Sequence, residues 1–145
     1  MIEYTKTAAE TEAVGNALAK RLDEAGVTRA FIAMRGEMGV GKTAFTRGFA
    51  SYFGISNVKS PTYTIVNEHR GKHNLYHFDM YRIGDSDDLY SIGYDDYVEA
   101  EGFCIVEWSE NIDNEIPEGA IYVTISRVEG SDGERRIEIN ENSCI

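Results

Sequence analysis

Short apolar runs of strand length recur along the whole chain. The uninterrupted run from Ala30 to Met34 is typical of a strand buried on both faces of a sheet. The other runs alternate apolar and polar residues or are rich in β-branched and aromatic residues, as strands are. Residues 69–72 and 130–133 have the composition of hairpin connections. The sequence therefore predicts strands at residues 2–4, 30–34, 62–66, 75–79, 103–106, 120–126 and 136–139.

Two segments have helical periodicity. The first begins where Thr7 and Glu10 have capping-box spacing, and it ends at Gly26. Its apolar residues recur at helical spacing at Val14, Leu18, Leu22 and Ala25. The second runs without proline from residue 42 to 52, with aromatic rings at positions 45 and 49 on one face and a glycine stop at position 54. The apolar stripe of the first helix is predicted to pack on the sheet.

The segment between the strand at 30–34 and the second helix fits the phosphate-binding pattern G-x-x-x-x-G-K-[ST] at every fixed position. Glycines let consecutive backbone N–H groups turn towards a phosphate. The lysine is predicted to contact the β- and γ-phosphates, and the threonine hydroxyl to coordinate Mg²⁺. The segment therefore predicts a nucleotide site formed by Gly36, Glu37, Met38, Gly39, Val40, Gly41, Lys42 and Thr43.

Two predicted strands end in carboxylates. Asp79 is the last residue of the strand at 75–79, and Glu107 directly follows the strand at 103–106. Because α/β proteins collect functional groups at the carboxyl ends of their strands, both acids are candidates for the catalytic site. We expect Glu107 to serve the metal or the attacking water and Asp79 to hold Mg²⁺ directly or through water. The sequence does not assign metal binding and water activation separately to the two acids. For the neighbouring His77, the sequence favours an ordinary strand histidine over a functional one.

Four further residues each have two interpretations. Thr11 is either an exposed residue of the first helical turn or a neighbour of the nucleotide. Thr62 either caps a turn or belongs to a loop that senses the γ-phosphate. Trp108 is either part of the core or a cover for the site, and Arg136 either lies exposed on its strand or lies over the nucleotide. The residues alone leave these alternatives open.

Composition narrows the class of protein. A chain of 145 residues with 42% hydrophobic residues is consistent with a single domain, residues 1–145. The 25 acidic and 14 basic residues give a net charge of −11, which opposes direct binding to tRNA or to an anionic membrane. Two cysteines without paired spacing, together with the lack of a secretory or membrane-spanning segment, predict a cytoplasmic protein.

Residues 84–101 contain seven acidic residues and three tyrosines but no lysine or arginine. Such a stretch is either a solvated surface or a docking surface for a basic partner. The sequence favours neither strongly enough to decide between them.

The order of these motifs closely resembles the TsaE family, small bacterial ATPases of tRNA threonylcarbamoyladenosine synthesis. The resemblance spans residues 7–139 and depends on G-E-M-G-V-G-K-T, S-P-T-Y-T-I-V, H-F-D-M-Y-R and E-W-S-E. It implies an ATPase that works with the carbamoyl-transferring partners TsaB and TsaD. It also implies that Lys42 and Thr43 hold phosphate and Mg²⁺, that Glu107 is the metal-site acid, that Asp79 is a second acid and that Thr11 lies near the nucleotide. The corresponding fold is α/β, a P-loop NTPase-like three-layer sandwich with a mixed central sheet, antiparallel hairpin strands and flanking helices.

Three other functions are alternatives to an ATPase. A GTP-dependent switch would require a guanine-reading N-K-x-D sequence, and the chain contains no Asn-Lys pair. A small-molecule kinase would normally have an arginine-bearing lid, and residues 84–101 contain no arginine. A non-catalytic subunit that senses nucleotide is the alternative that the sequence leaves open.

Overall fold

A computed structural model describes residues 1–56, 58, 66–83 and 86–141 of the chain. The strands are β1 Ile2–Thr5, β2 Arg29–Arg35, β3 Val66–His69, β4 Leu75–Asp79, β5 Gly102–Glu107, β6 Ile121–Arg127 and β7 Arg135–Glu141. The helices are α1 Ala8–Glu24, α2 Lys42–Tyr52, α3 Ser86–Ser91 and α4 Tyr94–Glu99, and a 3-10 segment spans Ser109–Glu115.

The strands form one seven-stranded sheet in the order β1-β7-β6-β2-β5-β4-β3. The four central strands, β6, β2, β5 and β4, are parallel, whereas β7 and β3 pair antiparallel with their neighbours in hairpins. The predicted mixed sheet with hairpin strands is therefore confirmed. Since the central strands are parallel, their carboxyl ends meet at one edge of the sheet, and the segment with the phosphate-binding sequence pattern, Gly36 to Thr43, follows β2 at that edge.

Helices cover both faces of the sheet, which makes three layers. Alternate residues of the strands pack against α1 and α2 on one face, where Leu18, Leu22, Phe45 and Phe49 are almost fully buried. On the other face, a second core cluster gathers strand residues around α3, α4 and the 3-10 segment. The predicted packing of the first helix on the sheet is confirmed, as is the three-layer α/β fold with flanking helices.

The ends of α1 and α2 follow the predicted signals. The Thr7 side chain accepts a hydrogen bond from the Glu10 backbone N–H at 3.1 Å, which caps α1. Gly26 and Gly54 follow the two helices with φ of +77° each, a backbone conformation that glycine adopts without steric cost. The predicted hairpin connection at 69–72 begins one residue late, since β3 continues through His69 and the connection to β4 begins at Arg70. Strands β1, β2, β5, β6 and β7 differ from their predicted bounds by one or two residues at one or both ends.

Helices α1 and α2 approach each other so closely that only glycine fits at the crossing. A Cβ atom on Gly48 would lie 1.8 Å from the Glu12 carbonyl oxygen, and one on Gly15 would lie 2.1 Å from the Phe45 carbonyl oxygen. Asn16 joins the same contact by donating a hydrogen bond to the Ser51 hydroxyl at 3.1 Å. This crossing fixes α2, and with it the phosphate-binding segment, on α1.

Candidate nucleotide-binding site

The segment from Gly36 to Thr43 joins β2 to α2 at the carboxyl edge of the sheet. Gly36, Gly39 and Gly41 have φ of +149°, +78° and +115°, conformations that other residues rarely adopt. A Cβ atom on Gly36 would also lie 2.5 Å from the Ile125 carbonyl oxygen. The glycine positions of the phosphate-binding pattern are therefore required by the backbone of this loop and by its contact with β6.

Within the described residues, helix α2 begins at this loop without a side-chain cap. Its N-cap residue is Gly41, and the first hydrogen bond of the helix runs from the Phe45 N–H to the Gly41 carbonyl at 3.0 Å. The backbone N–H groups of the first turn are thus left without intrahelical partners. Such donors, at the positive end of the helix dipole, attract anions and phosphate groups in particular.

The side chain of Lys42 lies between the loop and the acidic side of the site. Its Nζ donates a hydrogen bond to the Gly36 carbonyl at 2.7 Å and lies 4.0 Å from the centre of the Trp108 ring. Burial lowers the pKa of Lys42, and the nearby carboxylates of Glu107, Glu110 and Asp79 oppose that shift. The Lys42 ammonium group thus lies at the loop, where the Gly36 carbonyl and the Trp108 ring are its contacts.

Thr11 lies against the loop. Its Cγ2 methyl group would be 3.6 Å from a Cβ atom on Gly41, and the residue is 2% exposed. Its hydroxyl is 2.8 Å from the Thr5 hydroxyl at the end of β1. The first turn of α1 is therefore close to the predicted nucleotide site, although contact with a nucleotide stays a prediction.

The two predicted acids are neighbours in the sheet. Asp79 and Glu107 are directly opposite each other in the parallel pairing of β4 with β5. Asp79 Oδ1 accepts a hydrogen bond from the Tyr81 N–H at 2.9 Å. Burial raises the pKa of Asp79, and the charge of Glu107 raises it further, while the Tyr81 hydrogen bond acts in the opposite direction. Two carboxylates on different strands are thereby brought to the end of the sheet that also carries Lys42.

His77 belongs to this acidic group, which the interpretation as an ordinary strand histidine did not anticipate. Its Nε2 is 2.5 Å from Glu107 Oε2, and both side chains are buried. The available signal was the period-two pattern of β4, because His77 and Asp79 are two residues apart and so share a face of the sheet. What the sequence did not contain was the alignment of β4 with β5 that places Glu107 on the same face.

The Trp108 ring borders the site. In addition to its contact with Lys42, it packs against the exposed Tyr81 ring, with 5.1 Å between the ring centres. The backbone φ of Trp108 is +59°, unusual for a residue other than glycine. Residues held in such conformations are frequent at functional sites. Trp108 is half-buried and also packs against the second core cluster, so it contacts both the core and Lys42, and its role as a cover for the site stays a prediction.

Two arginines that sequence reasoning missed contact the loop backbone. Arg127, at the end of β6, donates to Glu37 Oε2 at 2.6 Å and to the Met38 carbonyl at 3.1 Å. Arg135 Nε donates to the Val40 carbonyl at 3.1 Å. Arg136, the arginine proposed from the sequence, forms an ion pair with Glu138, with 3.5 Å between its Nη1 and Glu138 Oε2. Its contact with nucleotide stays a prediction. The carboxyl edge of β6 was the one available signal for Arg127.

The donor set fits a magnesium nucleotide. Mg²⁺ prefers hard oxygen ligands and usually keeps several waters while binding one or two carboxylates and substrate phosphates. The Thr43 hydroxyl, on the first turn of α2, and the carboxylates of Asp79 and Glu107 are of this chemical type. Thr62, which from the sequence is either a turn cap or part of a loop that senses the γ-phosphate, lies outside the described residues, as does most of the strand predicted at 62–66.

Comparison with known proteins identifies relatives of this chain. Residues 5–137 match the family model described as threonylcarbamoyl adenosine biosynthesis protein TsaE. A relative from Treponema pallidum, named tRNA threonylcarbamoyladenosine biosynthesis protein TsaE, is 34% identical over 93% of this chain and 96% of its own length. A protein of the same name from Bacillus subtilis is 42% identical over 73% of this chain, and the match spans 66% of that relative, just under two thirds.

The structural comparison agrees. The crystal structure of Bacillus subtilis YdiB matches with a TM-score of 0.77 and 30% sequence identity, covering 97% of this chain and 84% of that one. In the described residues, no helix is long and apolar enough to cross a membrane. The family match spans nearly the whole chain, and the relatives share its name. The chain therefore belongs to the TsaE family of tRNA threonylcarbamoyladenosine biosynthesis proteins.

Proposed function

We propose that this protein is an ATPase that binds ATP with Mg²⁺ and hydrolyses it during threonylcarbamoyladenosine modification of tRNA. One juxtaposition carries the proposal. The uncapped start of α2, with Lys42, faces the paired carboxylates of Asp79 and Glu107 across one edge of the sheet. Phosphoryl transfer to water requires a phosphate cradle on one side and acids for metal and water on the other.

In this proposal the loop from Gly36 to Thr43 binds the phosphates. Lys42 would exchange its hydrogen bond to the Gly36 carbonyl for phosphate oxygens. The Thr43 hydroxyl and Glu107 would hold Mg²⁺, which supplies charge neutralisation for the transferred phosphoryl group. Asp79 and Glu107 together would orient the attacking water, and the Trp108 ring would limit the access of bulk solvent. Thr11, Thr62 and Arg136 complete the proposed nucleotide contacts.

We place this activity in a complex with TsaB- and TsaD-type subunits in the cytoplasm, with residues 1–145 acting as one ATPase domain. A net charge of −11 supports the dependence on partners, because binding to tRNA phosphates draws its strength from lysine and arginine. The isolated chain should therefore contribute nucleotide chemistry and leave the binding of tRNA to its partners.

The first experiment measures nucleotide binding by titration calorimetry with Mg²⁺. ATP should bind, and GTP should bind less tightly. Lys42→Met keeps the aliphatic stem that packs at the site but removes the charge, so ATP affinity should fall about 10- to 100-fold, as expected for a charge-assisted hydrogen bond. Lys20→Met, at an exposed position of α1, is the matched control and should bind ATP like the wild type. Equal affinities in Lys42→Met and the wild type would contradict the assignment.

The second experiment tests the pathway and the chemistry together. Modified tRNA is measured in a reconstituted reaction with TsaB- and TsaD-type partners, with and without this protein, while phosphate release is followed. We expect both products to depend on the protein. ATP binding and tRNA modification without phosphate release would instead support the non-catalytic nucleotide-sensing subunit. Phosphate transfer to a small-molecule acceptor would support a kinase.

A further inference from the structure

His77 is a fully buried polar residue whose only hydrogen-bond partner within the described residues is Glu107. The side chain is 0% exposed, and its Nε2 lies 2.5 Å from Glu107 Oε2. We assign Nε2–H as the donor and the Glu107 carboxylate oxygen as the acceptor of this hydrogen bond. The contact is therefore a short, charge-assisted hydrogen bond inside the protein.

The other ring nitrogen argues against a purely structural role for this histidine. His77 Nδ1 is buried without a hydrogen-bond partner in the described part of the chain. A buried polar atom without a partner costs stability, and an apolar side chain of similar size would avoid that cost. The residue type at this position is thus explained by what Nε2 does for Glu107 and not by the packing of β4.

The sheet fixes the relative positions of both side chains. His77 lies opposite Ile105, and Glu107 is two residues further along β5, on the same face of the sheet. The hydrogen bond to Oε2 restricts the rotation of the carboxylate. The Glu107 side chain keeps 7% exposure, so it is not sealed from the site that Lys42 borders.

We infer that His77 is a positioning residue that holds the Glu107 carboxylate in one orientation, with Oε2 occupied and Oε1 left for Mg²⁺ or the attacking water. The inference depends on the proposed ATPase function for its catalytic consequence. His77 itself does not touch nucleotide in this scheme. Its contribution is to restrict the Glu107 side chain to one orientation before ligand binds, as hydrogen-bond partners of metal ligands do in other proteins.

The principal test compares two replacements of His77. His77→Leu fills the space without a donor, whereas His77→Gln places an amide N–H near the position of Nε2. In the presence of the partners, His77→Leu should lower kcat for ATP hydrolysis about 10- to 100-fold, with KM changed less than about threefold. His77→Gln should recover most of this loss. His69→Leu, the same change on the adjacent strand β3, should leave kcat at the wild-type level.

Coupling to Glu107 gives a second, independent criterion. If His77 acts through Glu107, then His77→Leu should cost no further activity in a Glu107→Gln background. Multiplicative losses in the double variant would overturn the inference. So would wild-type kcat in a folded His77→Leu, or a His77→Gln as impaired as His77→Leu with an unchanged melting temperature.

A third measurement does not require turnover. The affinity of Mn²⁺ for the ADP complex should fall about 10-fold in His77→Leu and in Glu107→Gln, and no further in the double variant. If the wild type with its partners hydrolysed no ATP, the proposed function would fail, and the Mn²⁺ affinities would still decide the role of His77. Should His77→Leu not fold, His77→Asn replaces it, since the shorter amide lies near Nδ1 and does not reach Glu107.

Discussion

The two halves of the candidate site differ in how they are built and in what they offer. The loop half, Gly36 to Thr43, is one continuous segment that presents N–H groups and the Lys42 ammonium. The acid half brings His77, Asp79 and Glu107 together from two strands and presents carboxylate oxygens. Donors for an anion thus stand on one side of the site and acceptors for a cation or a proton on the other.

The halves also depend on different supports. The loop is fixed by α2, which is fixed in turn by the glycine crossing with α1, and by arginines that contact its carbonyl groups. The acids depend on the register of β4 with β5 and on His77. Damage to the loop half should therefore weaken nucleotide binding, and damage to the acid half should slow turnover while binding persists. The variants below test this separation.

The largest effect is expected on the free energy of unfolding, from a substitution at the crossing of α1 and α2 that supports the loop half. Gly48→Ala would place a Cβ atom 1.8 Å from the Glu12 carbonyl, so α1 and α2 must separate. We expect the free energy of unfolding to fall by about 3 kcal/mol or more, measured by urea denaturation, because backbone cannot yield as a flexible side chain does. ATP affinity of the remaining folded protein should fall with it.

Gly133→Ala is the matched control for this variant. Its Cβ atom would be 3.4 Å from the Lys6 carbonyl, and Gly133 has no positive φ, so unfolding should change by less than about 0.5 kcal/mol. A loss below about 1 kcal/mol in Gly48→Ala would show that the crossing is not the support of the loop half.

In the acid half, Glu107→Gln should lower kcat of the partnered protein about 100-fold or more, equivalent to about 2.7 kcal/mol. ATP affinity measured without divalent metal should stay within about threefold of the wild type, since the loop half is intact. Glu110→Gln is the control, because this exposed carboxylate also lies near Lys42 but does not belong to the acid pair. Its kcat should change less than about threefold. A Glu107→Gln variant that lost binding and turnover equally would break the proposed separation.

The difference in construction also explains what could be predicted from sequence. The course of the loop half could be predicted, because its eight residues are consecutive and its fixed glycines, lysine and threonine form one local pattern, whereas the contacts of Arg127 and Arg135 with the loop could not. The strand ends identified Asp79 and Glu107 as well. The hydrogen bond of His77 depends on which residues of β4 and β5 are opposite each other, and no local pattern encodes that register. The contact of Trp108 with Lys42 likewise requires the three-dimensional arrangement of two distant segments.

A smaller effect on the loop half is expected from Arg127→Gln. The substitution removes the hydrogen bonds to Glu37 and to the Met38 carbonyl, both near the surface. Exposed ion pairs contribute little, so ATP affinity should fall only about threefold, through a less ordered loop. Arg47→Gln removes the same charge from α2 at its ion pair with Glu12 and should not change the affinity. A 100-fold loss in Arg127→Gln would instead indicate direct contact with nucleotide.

The smallest expected effect is on the melting temperature, and it compares Asp79, a carboxylate of the candidate site, with Asp23, a carboxylate that stabilises the fold. Burial raises the pKa of Asp79, whereas hydrogen bonds from Tyr52 and Lys72 lower the pKa of Asp23 at the far end of α1. The pKa of Asp79 is raised, which means that the fold favours the protonated side chain. Protonated Asp79 therefore contributes to stability below the unfolded pKa, near 3.8, and this contribution is lost as the pH rises through the folded pKa. The lowered pKa of Asp23 has the opposite consequence, with stability present above 3.8 and lost as the pH falls through its folded value.

Asp79→Asn and Asp23→Asn should therefore shift the melting temperature in opposite directions at pH 7, in buffer without nucleotide or divalent metal. Asp79→Asn keeps an acceptor for the Tyr81 N–H and removes a half-buried charge, so the melting temperature should rise by about 1 to 3 °C. Asp23→Asn loses the charge that Tyr52 and Lys72 contact, so the melting temperature should fall. The Asp79→Asn difference from the wild type should shrink as the pH is lowered through the raised folded pKa of Asp79 towards 3.8. The Asp23→Asn difference should persist down to about 3.8 and shrink only below it, as the pH falls through the lowered folded pKa of Asp23. A decrease in Asp79→Asn at pH 7 would mean that the ionised acid stabilises the fold, and the acid half would then be part of the structural framework and not a site that the fold maintains at a cost.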